Sequence, residues 1–166
     1  LVGSEMCIRD RAQRALLSRI SIPEGNIHGI VTEGHSPSEA ADSYQHQLKT
    51  FFEDSLPWFD VMLLGMGADG HTASIFPEDD AVYEQDRWVV AVDGKRGTPP
   101  VPRVTLTLPV INNSKCILFI VSGESKMRVF EDIVESNNAA DYPAGLVHPN
   151  GELIWCVFNK DQGPAA

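Results

Sequence analysis

The segment Gly65-Met66-Gly67-Ala68-Asp69-Gly70-His71-Thr72-Ala73-Ser74-Ile75-Phe76-Pro77 gathers the residues best suited to chemistry in this chain. Its three glycines let the backbone turn sharply and bring N–H groups close to an anion. His71 stands just beyond them, and a neutral imidazole can take a proton from water. A turn or helix opening at Thr72-Ala73-Ser74 would put His71 at a helix N-terminus, which disfavours imidazolium. Asp69 suits two tasks, orienting the His71 ring or bonding the backbone of its own turn. Taken alone, the glycines also fit an ordinary strand-to-helix connection, and His71 also fits a histidine that satisfies nearby backbone groups.

The elements around this loop decide between those readings. Phe59–Leu64 is apolar apart from Asp60, and its Val61–Leu64 run predicts a strand buried on both faces, ending in the glycine-rich loop. In open α/β sheets ligands bind at the carboxyl ends of strands, where this loop begins. Upstream, Ala12, Ala15, Leu16, Leu17 and Ile20 recur at helical spacing and predict a helix over 10–19, ahead of Pro23. Asn26–Val31 reads as a short strand. Ser36-Pro37-Ser38-Glu39 supplies an N-cap, a first-turn proline and an early acid for a helix whose apolar face is Ala40, Ala41, Tyr44, Leu48, Phe51 and Phe52.

Downstream, strands are expected over Trp88–Val92, Val104–Leu108, Cys116–Val121 and Leu153–Phe158, with Leu108–Ile111 open to a helical turn instead. Gly94–Pro102 is a surface loop bearing Lys95 and Arg96. Met127, Phe130, Ile133 and Val134 mark one face of a helix after Gly123. Strands alternating with helices predict an α/β domain, with a mostly parallel sheet flanked by helices in a Rossmann-like arrangement.

Composition narrows the partners. The 166 residues hold 13 Lys+Arg and 23 Asp+Glu, a net charge of −10, with ordinary apolar content. Such a charge repels phosphodiester backbones and anionic lipid, so neither nucleic acid nor a membrane surface is an expected partner. The apolar runs fall far short of the ~18 residues that a membrane-spanning helix requires. Cys7, Cys116 and Cys156 have no metal-ligand spacing, and the odd count argues for a reducing cytoplasm. The five histidines form no paired metal motif, so no metal or other cofactor is expected.

The run GMGADGHTASIFP resembles the signature of 6-phosphogluconolactonases, and Arg103-Val104-Thr105-Leu106-Thr107-Leu108-Pro109 with Ile111-Asn112 resembles their second motif. Gly123 with Lys126 and the later Pro143-Ala144 follow the family's order. The resemblance runs from about Ala12 to Trp155 and implies the fold shared with glucosamine-6-phosphate isomerases. It also implies hydrolysis of 6-phospho-D-glucono-1,5-lactone to 6-phosphogluconate in the oxidative pentose phosphate pathway. On that reading the catalytic residues are His71 as general base and Asp69, and the substrate is a small sugar phosphate lactone held by Gly67, Gly70, Arg103 and Lys126. Backbone N–H groups around Gly67–Gly70 would stabilise the oxyanion.

Two other functions stay open. Isomerases or deaminases of the same superfamily share the Gly-x-Gly-x-Asp-Gly-His loop but continue with Ile-Ala-Phe-Asn-Glu-Pro. A sugar-phosphate-binding domain without activity is the second. Family members carry a glycine/threonine phosphate loop and an Asp-Glu-Arg segment upstream of the 10–19 helix, and neither occurs here. The first eleven residues resemble translated vector sequence. The expected organisation is therefore a foreign leader over 1–11, followed at 12–166 by the C-terminal part of a single domain missing its N-terminal strand or strands.

Overall fold

The computed structural model describes residues 4–135 and 138–158. Helix α1 spans Ser4–Ala15, earlier than the 10–19 expected, and crosses the boundary read at residue 11. Leu17–Arg19 tightens into a 3-10 turn, and Ile20 is already extended as the chain approaches Pro23. Asn26–Val31 is not a strand. Glu24–Asn26 forms a 3-10 turn and the residues after it run extended without a ladder partner, while Ile30 packs under the next helix.

Helix α2, Pro37–Phe51, starts as its sequence demands. Ser36 Oγ accepts the Glu39 N–H at 3.3 Å, and Glu39 Oε2 accepts the Ser36 N–H at 2.8 Å, a reciprocal cap worth about 1 kcal/mol. Ala40, Ala41 and Leu48 are buried, with Tyr44 and Phe52 packed beside them. Phe51 faces solvent instead.

The predicted α/β architecture is present. Strands β1 (Met62–Leu64), β4 (Cys116–Ser122) and β5 (Glu152–Phe158) form a parallel sheet in the order β1-β4-β5, with Leu64, Phe119 and Trp155 in register. Strands β2 (Val89–Val92) and β3 (Arg103–Leu106) form a separate antiparallel pair, against which α2 packs. The short helix α3, Leu108–Asn112, realises the helical alternative at that position. Helix α4, Glu124–Glu135, crosses from β4 towards β5.

One face of the sheet carries the core. Ile117, Phe119 and Val121 are fully buried, the Trp155 ring stacks on Phe119 at 4.0 Å, and Phe130 of α4 tilts onto Trp155 at 5.3 Å. The other face is bare, with Leu63, Ile120, Ile154 and Phe158 exposed. The expectation that Phe59–Leu64 is buried on both sides is thereby corrected: Val61 is 60% and Leu63 61% exposed, because α4 covers only the opposite surface and β1 lies at the sheet edge. No helix among the described residues is long and apolar enough to cross a membrane.

Neighbouring residues of β4 should therefore respond differently to truncation. Phe119→Ala removes a ring from the packed face and is expected to cost about 3–5 kcal/mol, whereas Ile120→Ala on the bare face should cost under ~1 kcal/mol. Urea midpoints of the two variants check this.

Candidate active site

The loop after β1 is held by its own backbone. Buried Thr72 donates through Oγ1 to the Gly65 carbonyl at 2.9 Å, and Gly67 N–H donates to the His71 carbonyl at 2.8 Å. Gly70 N–H donates to the Gly67 carbonyl at 3.2 Å, closing a tight turn over Ala68 and Asp69. Ser74 N–H reaches across to Thr105 Oγ1 of β3 at 3.1 Å, and Ile75 and Phe76 insert into the core. No helix follows His71. Ala73 has φ 49°, Ile75 N–H closes a turn onto Thr72, and the next helical turn is the 3-10 segment Asp80–Val82. Of the turn or helix read there the turn is formed, so no helix N-terminus acts on His71, and another group orients the ring.

That group is Asp69. Its Oδ1 lies 2.6 Å from His71 Nδ1 and also accepts the His71 backbone N–H at 3.2 Å, so both tasks foreseen for Asp69 fall to one oxygen. An ionised carboxylate only accepts, so it holds the proton on Nδ1 and, in the neutral imidazole, leaves the lone pair on Nε2. The pair fits because Gly67 has no side chain. A Cβ there would lie 2.2 Å from His71 Nδ1 and 2.3 Å from Asp69 Oδ1.

The other expected residues are placed as follows. Gly67 and Gly70 donate their N–H groups inside the turn, whereas those of Ala68 and Asp69 make no backbone hydrogen bond there. Gly70 has φ 78°, in the region that glycine adopts most easily. Arg103 is buried at 8% exposure rather than displayed at the surface. Its guanidinium lies 5.4 Å over the Phe76 ring and donates to the Pro99 carbonyl at 2.9 Å, while Gly97 packs directly on it. Phe76 in turn lies 4.6 Å from the His71 ring, so Arg103 and His71 flank one aromatic side chain.

Lys126 sits apart, in the first turn of α4, with its N–H donated to the Gly123 carbonyl at 3.1 Å. β1 and β4 are adjacent and parallel, so the His71 loop and the start of α4 leave the same carboxyl edge of the sheet. Lys95 and Arg96 form exposed pairs with Asp93 and Glu78. Among the described residues no group of three or more His, Cys, Asp or Glu side chains is placed to hold a metal ion.

Sequence reasoning missed four contributors. Thr72, Phe76 and Thr105 lie inside the quoted motifs, where a buried hydroxyl and a ring beside the histidine were available signals. Tyr142 had none: its ring covers Gly70 from a distant part of the chain.

Fold and site together define an α/β domain that carries a histidine–aspartate pair at the carboxyl edge of a parallel sheet. The family model described as glucosamine-6-phosphate isomerases/6-phosphogluconolactonase matches residues 6–155, and the chain belongs to that family. The 6-phosphogluconolactonase of Synechocystis is 40% identical over 150 residues, covering 88% of this chain and 61% of that protein. The human 6-phosphogluconolactonase is 42% identical over 142 residues, covering 84% and 54%. The crystal structure of 6-phosphogluconolactonase from Thermotoga maritima superposes with a TM-score of 0.75 at 34% identity, covering 89% of this chain and 62% of that one. The chain thus spans between about half and three fifths of the length of these relatives.

Gly67→Ala is expected to separate Asp69 from His71 and to cost about 1–3 kcal/mol, since the added methyl collides with both side chains. Gly65→Ala, where the added carbon meets no atom within 4 Å, should leave the pair intact. Nitrogen-15 spectra of the His71 ring distinguish the two, because loss of the Asp69 acceptor redistributes the ring proton between Nδ1 and Nε2.

Proposed function

We propose that this chain hydrolyses 6-phospho-D-glucono-1,5-lactone to 6-phosphogluconate. The observation that carries the reading is the His71–Asp69 pair, which leaves Nε2 as a base beside a turn with unspent amides. Nε2 takes a proton from water as its oxygen bonds to the lactone carbonyl carbon, and the Ala68 and Asp69 N–H groups receive the developing oxyanion. Collapse of the tetrahedral intermediate breaks the bond to the ring oxygen. That oxygen takes the proton back from Nε2, so the histidine ends as it began. The reaction needs neither an oxidant nor a cofactor.

The phosphate is a dianion approaching a chain of net charge −10, so local cations must attract it. Lys126 at the start of α4 is the direct contact in this reading, and buried Arg103 supplies positive potential from behind Phe76. Gly67 and Gly70 shape the turn that receives the lactone. An isomerase or deaminase is disfavoured by the loop itself, since Thr72-Ala73-Ser74-Ile75-Phe76-Pro77 has no carboxylate where those enzymes carry Asn-Glu. A cytoplasmic location, in the oxidative branch of the pentose phosphate pathway, belongs to the same proposal.

His71→Ala is expected to lower the catalysed rate by roughly 10²–10⁴-fold, the usual contribution of a general base, after subtraction of spontaneous lactone opening. Binding of 6-phosphogluconate should stay within a few fold, because the lost group moves a proton and does not hold phosphate. A variant keeping more than about a tenth of the parent rate would remove His71 from the role.

Since every step above runs through protein groups, hydrolysis should also persist after exhaustive chelation. Activity lost to a chelator and restored by zinc or magnesium would contradict the mechanism.

A further inference from the structure

The turn that presents His71 is covered by a segment far from it in sequence. An ideal Cβ on Gly70 would lie 2.4 Å from Tyr142 Cδ1 and 2.8 Å from its Cβ, which sets the base and near edge of the tyrosine ring against the Gly70 α-carbon. The Gly70 carbonyl accepts the Ala144 N–H at 2.9 Å, two residues further on. The phenol oxygen donates to Asp132 Oδ2 on α4 at 3.1 Å. Pro143, Ala144 and Gly145 are buried, and Gly145 N–H closes a 3-10 turn back onto the Tyr142 carbonyl, so the segment is a fixed support.

These contacts serve a need of the site. Glycine at φ 78° can leave that conformation readily, and Gly70 stands between Asp69 and His71, whose pairing depends on the turn. The ring blocks one side of Gly70 while the Ala144 N–H fixes its carbonyl. Asp132 lies on the helix whose first turn holds Lys126, about 9 Å further along its axis. A hydrogen bond to a carboxylate is stronger than one between neutral groups, so the phenol ties the turn to that helix.

We infer that Tyr142 is a positioning residue for the His71–Asp69 pair, acting through Gly70 and anchored on Asp132 of α4. This rests on the function proposed above. Tyr142 touches neither substrate nor the reacting atoms. Its loss lets the Gly70 turn sample other conformers, in which Nε2 is no longer held against the lactone carbonyl. Misplacement of a catalytic group by about 1 Å can cost 10²-fold in rate.

The test compares Tyr142→Phe and Tyr142→Ala in the full 166-residue chain, by His71 ring nitrogen-15 spectra and by lactonase kinetics. Tyr142→Phe keeps the ring over Gly70 and should retain the His71 resonances and kcat within about threefold. Tyr142→Ala should shift the His71 resonances and lower kcat by about 10–100-fold, with KM changed less than about threefold. If Tyr142→Ala does not fold, Tyr142→Leu keeps an apolar side chain without the flat ring and must show the same displacement. Unmoved His71 resonances in the folded variant, or a kcat within twofold of the parent, overturn the inference. His71→Ala separates the two readings: if it abolishes hydrolysis while Tyr142→Ala leaves kcat unchanged, only the positioning role fails. If the parent chain shows no catalysed hydrolysis, the spectra alone decide the role of Tyr142.

Discussion

A methyl group has no room at position 67, and the contact between His71 and Asp69 depends on that vacancy. The contact cannot hold itself in place. Both side chains are partly exposed, at 32% and 46%, and a contact at such a surface contributes only about 0–1 kcal/mol. Burial of Phe76 alone contributes roughly 1.5–3 kcal/mol, and Ile75 beside it a similar amount. The order of causation therefore runs from packing to loop to pair. Ile75 and Phe76 anchor the far end of the loop in the core, Thr72 and Thr105 fix its course through their hydroxyls, and the histidine and aspartate meet in the geometry left to them.

The same logic governs the charges. At physiological ionic strength the field of an exposed carboxylate is screened within about 8 Å, so most of the −10 net charge has little influence at the His71 loop. Several exposed acids are matched locally, Asp93 by Lys95 and Glu78 by Arg96. Arg103 differs because it is buried, where screening is weakest. The cost of removing its guanidinium from water is offset by the Pro99 carbonyl and by the face of Phe76. Phe76 thus has two duties, seating the loop and contacting both the buried cation and the imidazole.

What the sequence revealed follows from the range of the forces involved. The cap at Ser36–Glu39 and the strand at Cys116 are written in neighbouring residues, and each appears where its pattern put it, whereas on α4 the buried residue is Val129, outside the face read, and Val134 of that face is exposed. His71 and Asp69 were legible for the same reason, as their contact spans two residues. The strand read at Asn26–Val31 failed because β-branched residues favour extension without supplying a partner, and no neighbouring strand pairs with it among the described residues. Of the turn or helix read at Thr72–Ser74 the turn is formed, and Ser74 bonds to Thr105 on another strand, an interaction that local pattern cannot display. Tyr142 was invisible on the same ground, since its partner Gly70 lies in a different part of the chain.

The two faces of the β1-β4-β5 sheet have separate physical duties. Met66, Ile75 and Phe76 belong to the cluster that contains Ile117, Phe119 and Val121, so the His71 loop is seated wholly on the packed face. Leu63, Ile120, Ile154 and Phe158 project to the other side and touch none of the groups that shape the turn. Covering that face would add apolar burial, and with it stability, at roughly 25 cal/mol for each Å² removed from water. It would not alter the spacing of Gly67, Asp69 and His71, which Thr72, Thr105 and Tyr142 set from the packed side. The geometry of the base and the stability of the sheet are thus largely independent, and a change on the bare face acts on the site only through the population of folded chains.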